Sequence, residues 1–93
     1  MTEKKSILEE ALELTRGSRQ KDYGHPVENF TKIANLWTAY LENKDECVIL
    51  TPKDVALMMI LFKVAREQSG HKRDNLVDIA GYASTTAMVE GLE

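Results

Sequence analysis

The sequence predicts an all-α chain of four helices, and three observations predict it. Apolar residues recur at helical spacing in four successive segments. Helix-start signals precede the first three: Ser6 with Glu9, His25-Pro26, and Thr51-Pro52 with Asp54. Gly17 and Gly70 stand where the first and third segments end.

Ser6 opens the first helix, with Glu9 in capping-box position. Ile7, Leu8, Ala11, Leu12 and Leu14 supply its apolar stripe, and Gly17 is expected to end it as a left-handed cap. Residues 17–25 read as a loop. Pro26 suits the first position of a second helix, along which Val27, Phe30, Ile33, Ala34, Trp37, Tyr40 and Leu41 recur. Glu28, Asn29, Lys32 and Asn35 occupy its other side. Residues 42–50 turn from polar to apolar and read as a loop with a short extended piece.

Thr51-Pro52-Lys53-Asp54 starts the third helix, which runs to about Ser69. Its first half, Val55 to Phe62, is apolar all round and calls for cover from several sides. One 93-residue unit can hardly supply that, so a partner subunit is expected over part of it. The fourth helix runs from near Asp74 to about Glu90. Gly81 inside it costs about 1 kcal/mol relative to alanine, which the close approach of another helix would explain. The small residues of 80–87 add to the expectation of a homo-oligomer.

Ninety-three residues make one domain, residues 1–93. Twelve basic and 15 acidic residues leave a charge of −3, which gives no support to a binder of nucleic acid polymers. The single cysteine, Cys47, excludes an intrachain disulfide and suits the cytoplasm. The N-terminus shows no signal-peptide core. Eight residues make the longest strictly apolar run, far below the roughly 20 that span a bilayer, so no membrane partner is expected.

The stretch Asp74-Asn75-Leu76-Val77-Asp78-Ile79-Ala80-Gly81-Tyr82-Ala83 is the most informative part. A helix there puts Asp74, Asp78 and Tyr82 on one face, with Asn75 beside them. Carboxylates and an amide so placed suit a hard cation such as Mg²⁺. The alternative makes Asp74 an N-cap and Asp78 a solvated first-turn acid. His25 and Glu28, three apart, could join the set or serve as a helix cap. His25 would suit Mn²⁺ or zinc better than Mg²⁺. A carboxylate-held cation calls for an anionic substrate, and Arg16, Arg19, Lys21, Lys63, Arg66, Lys72 and Arg73 could hold its phosphates. Lys63 could instead pair with Glu67 one turn on. Tyr23 offers a flat face to a base or packs on the second helix. Neither Ser18 nor Cys47 has a base at motif spacing, which excludes nucleophilic catalysis by them.

These residues resemble the MazG-like all-α nucleoside triphosphate pyrophosphohydrolases, in which one helix carries Glu-x-x-Glu and a later helix Glu-Glu-x-x-Asp. Asp74-Asn75-Leu76-Val77-Asp78 is similar to the second element with shorter side chains, and His25-Pro26-Val27-Glu28 matches the first only at Glu28. A closer resemblance is to a phage- and prophage-associated subgroup of small uncharacterised proteins. It rests on Tyr23-Gly24-His25-Pro26, Glu28-Asn29-Phe30, Leu36-Trp37, Thr51-Pro52-Lys53-Asp54-Val55-Ala56 and Asp74 to Tyr82.

The resemblance implies a MazG-like unit assembled as a homodimer or tetramer, acting on a small-molecule nucleotide with Mg²⁺ or Mn²⁺. It implies metal ligation by Glu28, Asp74, Asn75 and Asp78, with His25 a further candidate. Glu28 and Asp78 would also be catalytic. Arg16, Lys21, Tyr23, Asn29, Lys63, Arg66 and Tyr82 would bind substrate. A phage-encoded chain would work in the host cytoplasm. His25 stands in place of an acid and Asn75 in place of a glutamate, which weakens the cation site. Two other functions therefore stand beside hydrolysis: a nucleotide-sequestering protein without turnover, and an oligomeric adaptor without a ligand.

Overall fold

The computed structural model describes residues 5–17, 25–45 and 47–92. They form four helices and no strand: α1 (Ile7–Arg16), α2 (Pro26–Glu42), α3 (Pro52–Ser69) and α4 (Arg73–Val89).

Local chemistry sets most of the boundaries. The Ser6 hydroxyl accepts from the Glu9 N–H while the Glu9 carboxylate accepts from the Ser6 N–H, a complete capping box. Thr51 and Asp54 do the same for α3, with Pro52 in its first turn. The Thr51 N–H, then its hydroxyl, hold the Asp54 carboxyl below the usual carboxylate range. His25 is the N-cap of α2: its Nδ1 accepts the Val27 N–H at 3.1 Å.

Gly17 closes α1, but not as a left-handed cap. Its φ is −104°, and its N–H donates to the Glu13 carbonyl at 2.7 Å. A Cβ at Gly17 would lie 2.4 Å from that oxygen, so the close approach, not a positive φ, calls for glycine. The N-cap of α4 is Lys72, which makes no side-chain capping bond, and Asp74 lies inside the first turn. Asp74 is therefore not the N-cap that its type suggests.

Helix α4 is central, packed most extensively on α3, then on α1, and lightly on α2, while α2 also packs on α3. Along the antiparallel α3–α4 seam, Lys53 pairs with Glu90 at one end (3.6 Å) and Lys63 with Asp78 towards the other (2.9 Å). Between them lie Val55 and Ala56, both fully buried. Phe30 and Ala34 of α2 complete this core, with Ile33, Trp37, Leu50, Met59 and Tyr82 packed against it.

Helix α1 lies against α4 where Gly81 leaves room: a Cβ there would meet the Thr15 methyl at 3.4 Å. The small residues of 80–87 are thus covered in part by α1 of the same chain, with Gly81 and Thr85 buried. Only one side of α1 is used. Ala11 is buried, whereas Leu8 and Leu12, expected in the stripe, are exposed.

The apolar half of α3 is also covered on one side only. Leu57, Met58, Leu61 and Phe62 remain exposed. The chain measures 56 × 31 × 22 Å. Its radius of gyration is 14.7 Å, against about 12 Å for a compact chain of this length. That elongation leaves too few neighbours to bury α3 all round.

Candidate functional site at the α3–α4 seam

Successive turns of α3 and α4 bring polar side chains face to face. Lys63 Nζ donates to Asp78 Oδ2 at 2.9 Å, both side chains less than a third exposed. One turn further along α3, Glu67 Oε1 accepts from Asn75 Nδ2 at 3.1 Å. The same oxygen accepts the Lys72 backbone N–H, and Glu67 Oε2 meets His71 Nδ1. These contacts, His71 foremost and then the Lys72 N–H, hold the Glu67 carboxyl below its usual range. Asn75 is almost wholly buried, and no buried side-chain polar atom among the described residues lacks a partner.

Positive charge gathers beside this seam. Lys63 Nζ lies 5.6 Å and the Arg66 guanidinium 5.5 Å from the centre of the Phe62 ring. One turn along α4 from Asp78, the Tyr82 ring meets Phe30 of α2, centroids 6.3 Å apart. Asp78, Lys63, Arg66 and Tyr82 thus lie within neighbouring turns where α2, α3 and α4 meet. Lys63 does not take Glu67, one turn along its own helix, because Glu67 is already engaged by the start of α4.

The other expected site residues lie apart or are solvated. Asp74 and Glu28 are exposed in the first turns of α4 and α2, Asn29 is half-buried, and His25 serves as a helix cap. Arg16 is exposed at the end of α1. Lys21 and Tyr23, with Ser18 and Arg19, lie outside the described residues.

Glu67 and Phe62 were not legible as site residues. Glu67 sits eight positions before its partner Asn75, beyond any single-helix spacing, and Phe62 reads as one more apolar residue in an apolar run.

A divalent cation needs more than this seam offers. Mg²⁺ and Mn²⁺ favour several oxygen donors around one point. Among the described residues no three of His, Cys, Asp and Glu converge in that way, so Glu28, Asp74, Asp78 and His25 are not gathered into one metal-holding group. The two seam carboxylates, Asp78 and Glu67, already face cationic or N–H partners. The donor set of one chain's described residues does not fit the cation. A pocket of about 580 Å³ lies elsewhere, between α1 and the start of α4, where Lys5 faces Glu13 and Arg73 faces Glu10.

No described helix is long and apolar enough to cross a membrane. Comparison with known proteins places the chain beside phage relatives. It is 51% identical over 79 residues to the Gene 55 protein of Mycobacterium phage D29, which covers 84% of this chain and 49% of that protein. It is also 51% identical over 79 residues to the Gene 55 protein of Mycobacterium phage L5, covering 84% of this chain and 48% of that protein. The chain spans about half the length of these curated relatives. No solved structure matches it. A model of the family described as "Domain of unknown function (DUF6378)" matches residues 6–90, nearly the whole chain, and the protein belongs to that family.

Proposed function

We propose that this chain binds the phosphates of a nucleotide at the α3–α4 seam, as a MazG-like helical unit that works as a homo-oligomer. The observation that carries the reading is the pairing of Lys63 with Asp78 beside Arg66 and the exposed Phe62 ring. A lysine held by a single half-buried carboxylate can exchange it for a phosphate oxygen at little cost. Arg66, with its planar fork of donors, can take a second oxygen from the same group. Tyr82 borders this ground on α4, where its ring meets Phe30 of α2.

The geometry supports binding better than turnover. Pyrophosphate hydrolysis with Mg²⁺ or Mn²⁺ would need acidic donors beyond those that one chain's described residues gather. Glu28 and Asp74, both solvated, are the nearest in type, and a second copy of the chain is the natural source of more. Homo-oligomer formation has its own support in the uncovered apolar side of α3. A small nucleotide ligand and a net charge of −3 both suit the cytoplasm, that of the host for a phage-encoded chain.

The test is incubation with a panel of nucleoside mono-, di- and triphosphates, with and without Mg²⁺ or Mn²⁺, followed by separation of intact nucleotide, monophosphate and pyrophosphate. Retention of intact nucleotide supports the binder. Release of pyrophosphate raises the chain to a hydrolase. Neither retention nor turnover leaves the oligomeric adaptor.

A further inference from the structure

We infer that Glu67 is the positioning residue of the site: it caps α4 from the last turn of α3 and so holds Asp78 opposite Lys63. The inference rests on the proposed function only for what the site binds. Its structural part stands alone.

A helix start leaves backbone N–H groups without intrahelical partners, and a side chain at the N-cap usually takes one of them. Lys72 holds that position in α4 and has no acceptor to offer. Glu67, from the other helix, supplies the acceptor. Its Oε1 takes the Lys72 N–H and the Asn75 amide, both at 3.1 Å, and its Oε2 meets His71. The turn between the helices spans only residues 70–72, so these contacts tie the last turn of α3 to the first turn of α4.

Asn75 makes the tie specific. It is 5% exposed and its amide N–H goes to Glu67. A slip of α4 along α3 would leave a buried amide unpaired, a cost that apolar contacts alone would not impose. The next rung is Lys63 with Asp78, four residues before Glu67 on α3 and three after Asn75 on α4. Fixing one rung fixes the other, because each helix is rigid over a single turn.

The experiment is a set of thermal melts on the full chain. Lys63→Met, Asp78→Asn and the double variant are compared in the wild-type background and in Glu67→Gln and Glu67→Ala backgrounds. In the wild type the two single changes should be non-additive. Glutamine retains an oxygen for the Lys72 N–H and the Asn75 amide, so the non-additivity should survive in Glu67→Gln and vanish in Glu67→Ala. Should Glu67→Ala fail to fold, Glu67→Met, which fills a similar volume, carries that arm.

Binding of inorganic pyrophosphate is read on the same proteins. It should strengthen about fivefold in Glu67→Met, a change equal to about 1 kcal/mol, because Lys63 is then no longer held by Asp78, and stay near wild type in Glu67→Gln. Undiminished Lys63–Asp78 non-additivity without an acceptor at position 67, or its equal loss in Glu67→Gln, overturns the inference. Correct coupling with no pyrophosphate binding by the wild type overturns the proposed function and leaves the positioning role standing.

Discussion

Lys63 and Asp78 form an ion pair across the α3–α4 seam at 2.9 Å, with side-chain exposures of 18% and 29%. Asp78 is thus neither a solvated helix-start acid nor one of a crowd of carboxylates. Its neighbour is a cation, and that sets the sign of its substitutions. Asp78→Asn should lower stability by about 1 kcal/mol, as the loss of a partly buried pair does. A guanidinium denaturation curve checks it; an unchanged or raised midpoint would show that the pair contributes nothing.

Gly81 faces the Thr15 methyl with room for one carbon at van der Waals distance. Gly81→Ala should therefore gain about 1 kcal/mol of helix propensity without moving α1. Its melting temperature should rise by about 4 °C or more. Gly81→Leu should fall instead, because the larger side chain drives α1 off α4. A melt of both variants tests the pair of signs.

Acid should loosen the turn between α3 and α4. The folded-state pKa of Glu67 lies below its ordinary value of 4.5, so its contribution is complete above that value. It is lost as pH falls through the lowered folded value, where the carboxyl takes up a proton. Glu67→Gln should flatten the acid side of a stability–pH profile and leave the neutral side little changed in shape. A Glu67→Gln profile parallel to wild type at every pH would contradict this.

The exposed face of α3 should be the contact between copies. Leu61 is 66% exposed beside the exposed Leu57 and Met58. Light scattering of the wild type at micromolar concentration should give a multiple of the 10.5 kDa chain, and Leu61→Glu should shift it towards the monomer. A monomeric wild type would remove the homo-oligomer from the account.

Local chemistry was legible in the sequence and long-range pairing was not. The boxes at Ser6–Glu9 and Thr51–Asp54 and the prolines at 26 and 52 mark helix starts within a few residues, and the structure keeps each. The fourth helix start lacked such a mark, because its cap comes from Glu67 on another helix. Helical spacing put Lys63 within reach of Glu67, yet tertiary packing offered it Asp78, and Glu67 was already committed. The small residues of 80–87 announced a close helix correctly but not which one; it is α1 of the same chain. The acids at 28, 74 and 78 share types suited to a cation, but spacing along separate helices says nothing of whether they converge.

Phosphate binding at the α3–α4 seam is tested by titrating the isotope-labelled protein with a nucleoside triphosphate and following amide and side-chain NMR shifts. Changes should concentrate at Phe62, Lys63, Arg66, Asp78 and Tyr82, and be lost in a Lys63→Met, Arg66→Met double variant that keeps its helical spectrum. Absence of any shift at millimolar nucleotide, or shifts confined to α1 and unaffected by those substitutions, would contradict it.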